Sequence, residues 1–79
     1  MARVERGINA ALRHLQRAQD KGEELKMQTA LNHGLWLGLG YCIARGWAFY
    51  KGDDCFKISR EGISEWASRR RQAIAADHE

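Results

Sequence analysis

The chain has 79 residues, which is enough for one small domain with a modest core. Thirteen Lys and Arg against ten Asp and Glu give a net charge of +3, which suits nucleic-acid binding but is also ordinary for a small globular protein. The balance of 44% hydrophobic and 29% charged residues argues against disorder, and the longest apolar run, 34–44, falls short of the ~20 residues of a bilayer span. We therefore expect a single domain over residues 1–79, in the cytoplasm and without a membrane segment.

A first amphipathic helix is predicted at the amino terminus. Apolar residues recur there at helical spacing, while arginines occupy the intervening positions; the apolar set is Val4, Ile8, Leu12 and Leu15. The helix is expected to end near Asp20, because Gly22 can adopt the left-handed conformation that commonly follows a helix.

Two further helices are predicted before the middle of the chain. The second runs from Glu23 to Asn32, with its glutamates near the positive end of the helix dipole. The triplet Asn-His-Gly at 32–34 then interrupts it, because Gly permits the tight backbone of a helix-turn-helix corner. The third helix runs from Leu35 to Arg45. One continuous helix from Glu23 to Arg45 is the alternative.

The third predicted helix, LWLGLGYCIAR, is apolar almost all round. Gly38 and Gly40 each lower its helix propensity by about 1 kcal/mol relative to Ala. Because something must compensate for that loss, we expect another backbone to pack closely against this helix. The sequence leaves open whether the apolar segment 35–44 belongs to the core or to a dimer interface.

A tight β-hairpin is predicted over about residues 47–58. Two short runs rich in aromatic and β-branched residues, WAFY and CFKI, flank the turn-forming residues KGDD. The alternation of side chains along a strand places Trp47 and Phe49 on the inner face, and leaves Tyr50 and Lys57 near solvent.

A final helix is expected directly after the hairpin, from about residue 60 to about residue 75. Ser59 is suited to cap it, since its hydroxyl can accept from backbone amides two or three residues on, and Glu61 lies where the helix dipole favours a carboxylate. The sequence therefore predicts a mostly helical α+β domain with three amino-terminal helices, a two-stranded hairpin and a carboxy-terminal helix.

Residues 42–66 resemble the winged helix-turn-helix family. In that family a third helix closes with a polar residue and Gly, a short hairpin called the wing follows, and its second strand runs into a Thr or Ser, acidic residue, Gly sequence that starts the final helix. The corresponding residues here are Arg45-Gly46, the wing from Ala48 to Lys57, and the segment ISREG at 58–62. The resemblance implies a small transcriptional regulator of bacterial or phage type, in a winged-helix-like domain.

The resemblance also implies how such a regulator meets duplex DNA, with the third helix in the major groove and the wing against a phosphate backbone. It implies groove-facing roles for Gln28, Thr29, Asn32, His33 and Arg45. It also implies that Lys51, Lys57 and Arg60 contact phosphates. We expect a homodimer.

A protein-binding function without DNA is the alternative. No side chain between Leu35 and Ala44 is suited to reading base edges, and the acids Asp53 and Asp54 at the wing tip would repel phosphates. Exposed aromatic and apolar residues commonly mark protein interfaces. The alternative is a phage-encoded, anti-CRISPR-like inhibitor that binds a host protein, with candidate interface residues Trp36, Leu37, Tyr41, Arg69 and Arg70.

No catalytic or metal-binding pattern is evident. His14, His33 and His78 are scattered, and none has metal-ligand spacing to Cys42 or Cys55. The two cysteines form no CxxC pair and are typical of reduced thiols in a cytosolic protein. The glycines form no phosphate-binding loop. We therefore expect no enzymatic activity, cofactor, metal or small-molecule substrate.

Overall fold

Helices pack against a small antiparallel sheet in the computed structural model, which describes residues 2–77 and the side chains up to residue 73. This part of the chain is a mostly helical α+β fold with four helices and three strands, and the order of the strands in the sheet is β1-β3-β2. The elements are α1 (Arg3–Asp20), β1 (Leu25–Lys26), α2 (Met27–Asn32), α3 (Trp36–Ala44), β2 (Ala48–Gly52), β3 (Cys55–Ile58) and α4 (Arg60–Asp77).

Helix α1 forms the centre of the core, as its periodicity predicts. Its apolar stripe packs against α3, α4 and the inner face of the sheet. Val4 lies at the start of the helix and is 41% exposed, so the predicted stripe is shorter than its pattern suggests. The fully buried residues of α1 are Ile8, Ala11, Leu12 and Leu15.

Strand β1 corrects the predicted architecture. Leu25 pairs with Phe56 and Lys26 with Cys55, so that β3 becomes the central strand of a three-stranded sheet. The predicted helix over 23–32 is therefore wrong in its first half, because α2 begins only at Met27. The set of three helices followed by a two-stranded hairpin is wrong for the same reason. Hydrogen bonds to a distant strand override the local preference of these residues for helix.

A corner separates α2 from α3, which excludes the continuous helix over 23–45. Gly34 has a φ of +66°, a conformation that Gly adopts at little cost. Beyond it, the Leu35 N–H donates to the Ala30 carbonyl at 2.7 Å. The interruption therefore forms at the predicted triplet.

The hairpin turn is tighter than the four-residue connection that the sequence suggests. Asp53 and Asp54 both have positive φ, 52° and 57°, which is typical of a type I′ turn between two strands. The Asp54 N–H donates to the Tyr50 hydroxyl at 3.1 Å. The Tyr50 side chain thus stabilises the turn that follows it.

Phe49 of β2 faces the opposite way from the prediction, whereas Tyr50 is 54% exposed, as predicted. Ala48 pairs with Ile58 and is buried, whereas Phe49 pairs with Lys57 on the outer face and is 46% exposed. The predicted inward position of Phe49 is therefore wrong. Trp47 packs against the core from a bend that precedes the strand, so it does not set the alternation within β2.

Ser59 caps α4 as predicted. Its hydroxyl accepts from the Gly62 N–H at 3.0 Å and donates to the Gly46 carbonyl at 2.6 Å. These two bonds join the first turn of α4 to the segment that enters the hairpin. Ile63, one turn later, is 39% exposed and lies outside the buried core.

Two glycines allow backbones to approach where side chains would prevent it. A Cβ at Gly38 of α3 would collide with the Gly7 carbonyl of α1, and a Cβ at Gly62 of α4 would collide with the Trp47 carbonyl. The close backbone packing expected for the third helix is therefore confirmed at Gly38. Gly40 differs, since a Cβ placed there meets no atom within 4 Å.

We predict opposite effects for two alanine substitutions in α3. Gly38→Ala overpacks the crossing with α1 and is expected to lower the free energy of unfolding by about 1–3 kcal/mol. The methyl group of Gly40→Ala meets no neighbouring atom, so this substitution is expected to raise the free energy of unfolding by about 1 kcal/mol through its higher helix propensity. Urea unfolding followed by circular dichroism measures both. Equal effects of the two substitutions would contradict this crossing.

Candidate interaction surface on the third helix

Helix α3 has a buried side and an exposed side. Gly38, Leu39 and Cys42 are buried, and Gly38 meets the backbone of α1. At 100° per residue, the exposed residues cover an arc of about 160°. We call this arc the α3 patch; its members are Trp36, Leu37, Gly40, Tyr41, Ile43 and Ala44.

The α3 patch presents apolar and aromatic groups to solvent. Leu37 is 79% exposed, and Trp36 is 46% exposed. The Tyr41 hydroxyl and the Trp36 indole N–H are the polar side-chain groups in the patch, and no member carries a charge. Such a face resembles the centre of a protein interface more than a surface that reads DNA, which needs donors and acceptors for base edges.

Aromatic contacts connect the α3 patch to the hairpin. The ring of Trp36 meets that of Phe56 edge-on, with the ring centroids 6.2 Å apart. Phe56 is buried in the central strand and also meets Tyr50, with the centroids 5.3 Å apart. Edge-to-face pairs of this kind favour defined ring orientations, so Trp36 is held in place from beneath.

Arg45 lies at the carboxy-terminal end of the α3 patch. Its guanidinium is 5.3 Å from the centre of the Tyr41 ring and 5.6 Å from the centre of the Trp47 ring. It also donates to the Tyr41 carbonyl at 3.5 Å. Cation–π attraction therefore holds this charge against the aromatic rings at the rim of the patch.

The residues that the resemblance places in the DNA groove lie outside the α3 patch. Gln28 and Asn32 are exposed on α2, where the Gln28 amide donates to the Asn32 side chain at 2.9 Å. His33 lies against His14, with ring centroids 5.0 Å apart. Thr29 lines a cleft beside α1. Gln28 and Asn32 therefore contact each other, and His33 contacts His14 of α1.

The candidate phosphate contacts differ in their exposure and in their partners. Lys51 forms an ion pair with Glu24, and the hydrogen bond and charge of Lys51 lower the pKa of Glu24. Lys57 is half-buried on the outer face of the sheet, and Arg60 is exposed in the first turn of α4.

The two arginines of α4 predicted to lie at an interface have different surroundings. Arg69 donates to Glu5 at 2.6 Å, to Asn9 at 2.8 Å and to Glu65 at 2.7 Å, so it ties α4 to α1. Arg70 is exposed and lines a groove between the two helices. Neither arginine is part of the α3 patch.

The cysteines and histidines show no reactive or metal-binding arrangement in the described part of the chain. Burial raises the pKa of the Cys42 thiol to about 11, so this thiol stays protonated at neutral pH. Cys55 is half-buried, and its thiol donates to the Asp53 carbonyl at 3.3 Å. Among the described residues, no three His, Cys, Asp or Glu side chains come together as metal ligands. His78 lies outside the described residues.

We predict that the two thiols react at different rates. Cys42 is fully buried and forms little thiolate below its raised pKa, whereas Cys55 is partly accessible. Titration with a colorimetric thiol reagent near neutral pH should modify one thiol in the folded chain and both in denaturant. Cys55→Ser should abolish the reaction of the folded chain. Equal rates for the two thiols would show that Cys42 is not buried.

Comparison with family models, with curated proteins and with solved structures gives no match for this chain. No helix among residues 2–77 is both long enough and apolar enough to span a bilayer.

Three members of the α3 patch, Gly40, Ile43 and Ala44, were not among the residues predicted from the sequence. A helical wheel oriented by the Gly38 crossing would have placed them on the exposed side, because they lie on the same arc as Trp36. The sequence indicated close packing at Gly38 or Gly40 without showing which of the two glycines meets another backbone.

Proposed function

We propose that the chain is a protein-binding domain of winged-helix type that uses the α3 patch as its contact surface. The observation that carries this proposal is that the helix after the turn exposes Trp36, Leu37 and Tyr41 and no charged side chain. Removing such a surface from water is favourable by about 25 cal/mol per Å² of apolar area. A partner protein can cover the patch, whereas base edges would lose hydrogen bonds to water against it.

The arrangement of the elements supports the winged-helix class. A helix pair with a tight corner is followed by a hairpin and then by a helix that Ser59 caps. In the winged-helix interpretation, α3 occupies the position of the recognition helix. In our proposal, α3 contacts a protein instead of DNA.

A second copy of the chain is the first partner that we propose. The α3 patch is uncharged, so two copies can meet there without repulsion. Gly40 leaves a shallow apolar groove beside Trp36 and Ile43, and Leu37 projects from the same face. A groove and a projection on one surface are complementary across a two-fold axis.

The proposed dimer is weak. A standard interface involves about 20–30 residues from each partner, and the patch is a small part of that. An association of this kind can be exchanged for a different protein that covers the same face more fully. An inhibitor of a host system, the alternative function stated above, requires such a binding surface and no catalytic group.

We predict that a charge in the α3 patch abolishes self-association. Leu37→Glu places a carboxylate at its centre, and the matched control Leu31→Glu alters an equally apolar residue on α2 that is 49% exposed. Sedimentation equilibrium should show a concentration-dependent mass for the unchanged chain and for Leu31→Glu. Leu37→Glu should weaken dimerisation at least about tenfold. An unchanged chain that stays monomeric at all concentrations would rule out the second copy as partner.

DNA binding through α3 and the wing is a second candidate. One observation favours it: Arg45 and Arg60 are exposed near α3 and the wing, and neither forms an ion pair within the described residues. Their charge is therefore available to phosphates.

Fluorescence anisotropy with duplex DNA over a salt series tests this candidate. Phosphate contacts predict affinity that falls steeply with salt, and Arg60→Gln should reduce the salt slope by about one. Absence of binding at about 50 mM salt would eliminate the DNA function.

A further inference from the structure

A row of basic residues follows the outer side of α1. Arg13, Arg17 and Lys21 recur every fourth residue, so they stand about 6 Å apart along the helix axis. Arg70 of α4 lines the same groove as Arg13 and Arg17. We call these four residues the basic ridge. All four are exposed, and none forms an ion pair within the described residues.

Two clefts meet at the basic ridge. The first has a volume of about 350 Å³ and lies between α1 and α4, where Arg13, Arg17 and Arg70 surround the half-buried Trp66. The second has a volume of about 580 Å³ and lies between α1 and residues 23–29. Arg17 lines both clefts, so together they form one continuous surface.

The basic ridge affects the pKa of a neighbouring histidine. The pKa of His14 is lowered, first by partial burial and then by electrostatic interaction with His33, Arg13 and Arg17. Arg69 offers a contrast, because Glu5 and Glu65 neutralise it. No carboxylate lies within ion-pair distance of the four ridge residues in the described part of the chain.

We propose that the basic ridge binds an acidic segment of a partner protein in extended conformation. Arginine forms bidentate, charge-assisted hydrogen bonds with carboxylates. An extended chain rises about 3.3 Å per residue, so alternate side chains lie about 6–7 Å apart. This spacing matches that of the ridge, and Trp66 offers an apolar surface in the cleft that Arg13 and Arg70 also line.

The lining of the clefts favours a peptide over nucleic acid. Asp20 lies in the first cleft, where the Gln16 amide donates to it at 2.9 Å, and Glu23 and Glu24 lie in the second. A nucleic acid carries a phosphate at every nucleotide and would place some of them against these carboxylates, whereas an extended peptide with acids at alternate positions can turn its uncharged residues toward them. The backbone N–H groups of a peptide can instead donate to them. The basic ridge shares no residue with the α3 patch, so this proposal stands apart from the proposed function.

Anisotropy with a labelled peptide tests the proposal. The probe is a peptide of about 12 residues with Glu at alternate positions, which spans about 40 Å when extended. It is titrated with the full chain at about 50 mM salt, and a duplex DNA serves as the second probe. We expect saturable peptide binding that Arg13→Gln with Arg17→Gln weakens about tenfold. The charge-matched pair Lys57→Gln with Arg60→Gln should weaken it less than about twofold.

Further variants separate this site from the α3 patch. Leu37→Glu should leave peptide binding unchanged, and Arg70→Gln should weaken it from the side of α4, with the fold of each variant checked by circular dichroism. Equal losses of peptide affinity in the two double variants would show that binding depends only on net charge, which would overturn a specific site at the basic ridge. No peptide binding at about 50 mM salt would overturn the proposal. Tighter binding of duplex DNA by the same arginines would overturn the choice of ligand.

Discussion

The contact between the backbones at Gly7 and Gly38 is the constraint on which the rest of the structure depends. Because α3 is apolar almost all round, hydrophobicity alone does not determine which of its sides is buried. The absence of a side chain at Gly38 lets α3 approach α1 at that one position. The crossing buries Leu39 and Cys42 and turns the α3 patch outward. The exposed surface is thus a consequence of where the glycine lies.

This orientation separates two kinds of surface on a small domain. The α3 patch is uncharged and aromatic, and Phe56 in the central strand supports it from beneath. The basic ridge follows α1 and gathers arginines that the fold does not neutralise. A partner that combined an apolar face with an acidic segment would be complementary to both surfaces. Neither surface requires a catalytic group, and the described residues bring no three potential metal ligands together.

The sequence predicts those parts of the fold that depend on short-range signals. The buried stripe of α1, the corner at Gly34 and the cap at Ser59 each follow from residues within one or two turns of each other. Strand β1 has only two residues, and its partner Phe56 is 31 positions away from Leu25, so no local pattern identifies it. The sequence did not determine which side chains of β2 point toward the core, because aromatic residues occur at consecutive positions in the run that contains Phe49.

The candidate surfaces were harder to predict than the fold. The sequence indicated Trp36, Leu37 and Tyr41 as interface residues, but not the rest of their arc, which depends on the Gly38 crossing. It also treated Arg69 and Arg70 alike. Only the tertiary structure shows that Arg69 is bound to acids of α1 and α4, while Arg70 remains exposed.

Backbone amide chemical shifts across a concentration series test the central claim most directly. The claim is that the α3 patch faces solvent in the monomer and is covered on association. We predict shift changes that cluster at Trp36–Ala44 and extend to Tyr50, while Arg13 and Arg17 keep their positions in the spectrum. Changes confined to α1, or spread evenly over the chain with none concentrated in α3, would contradict the account.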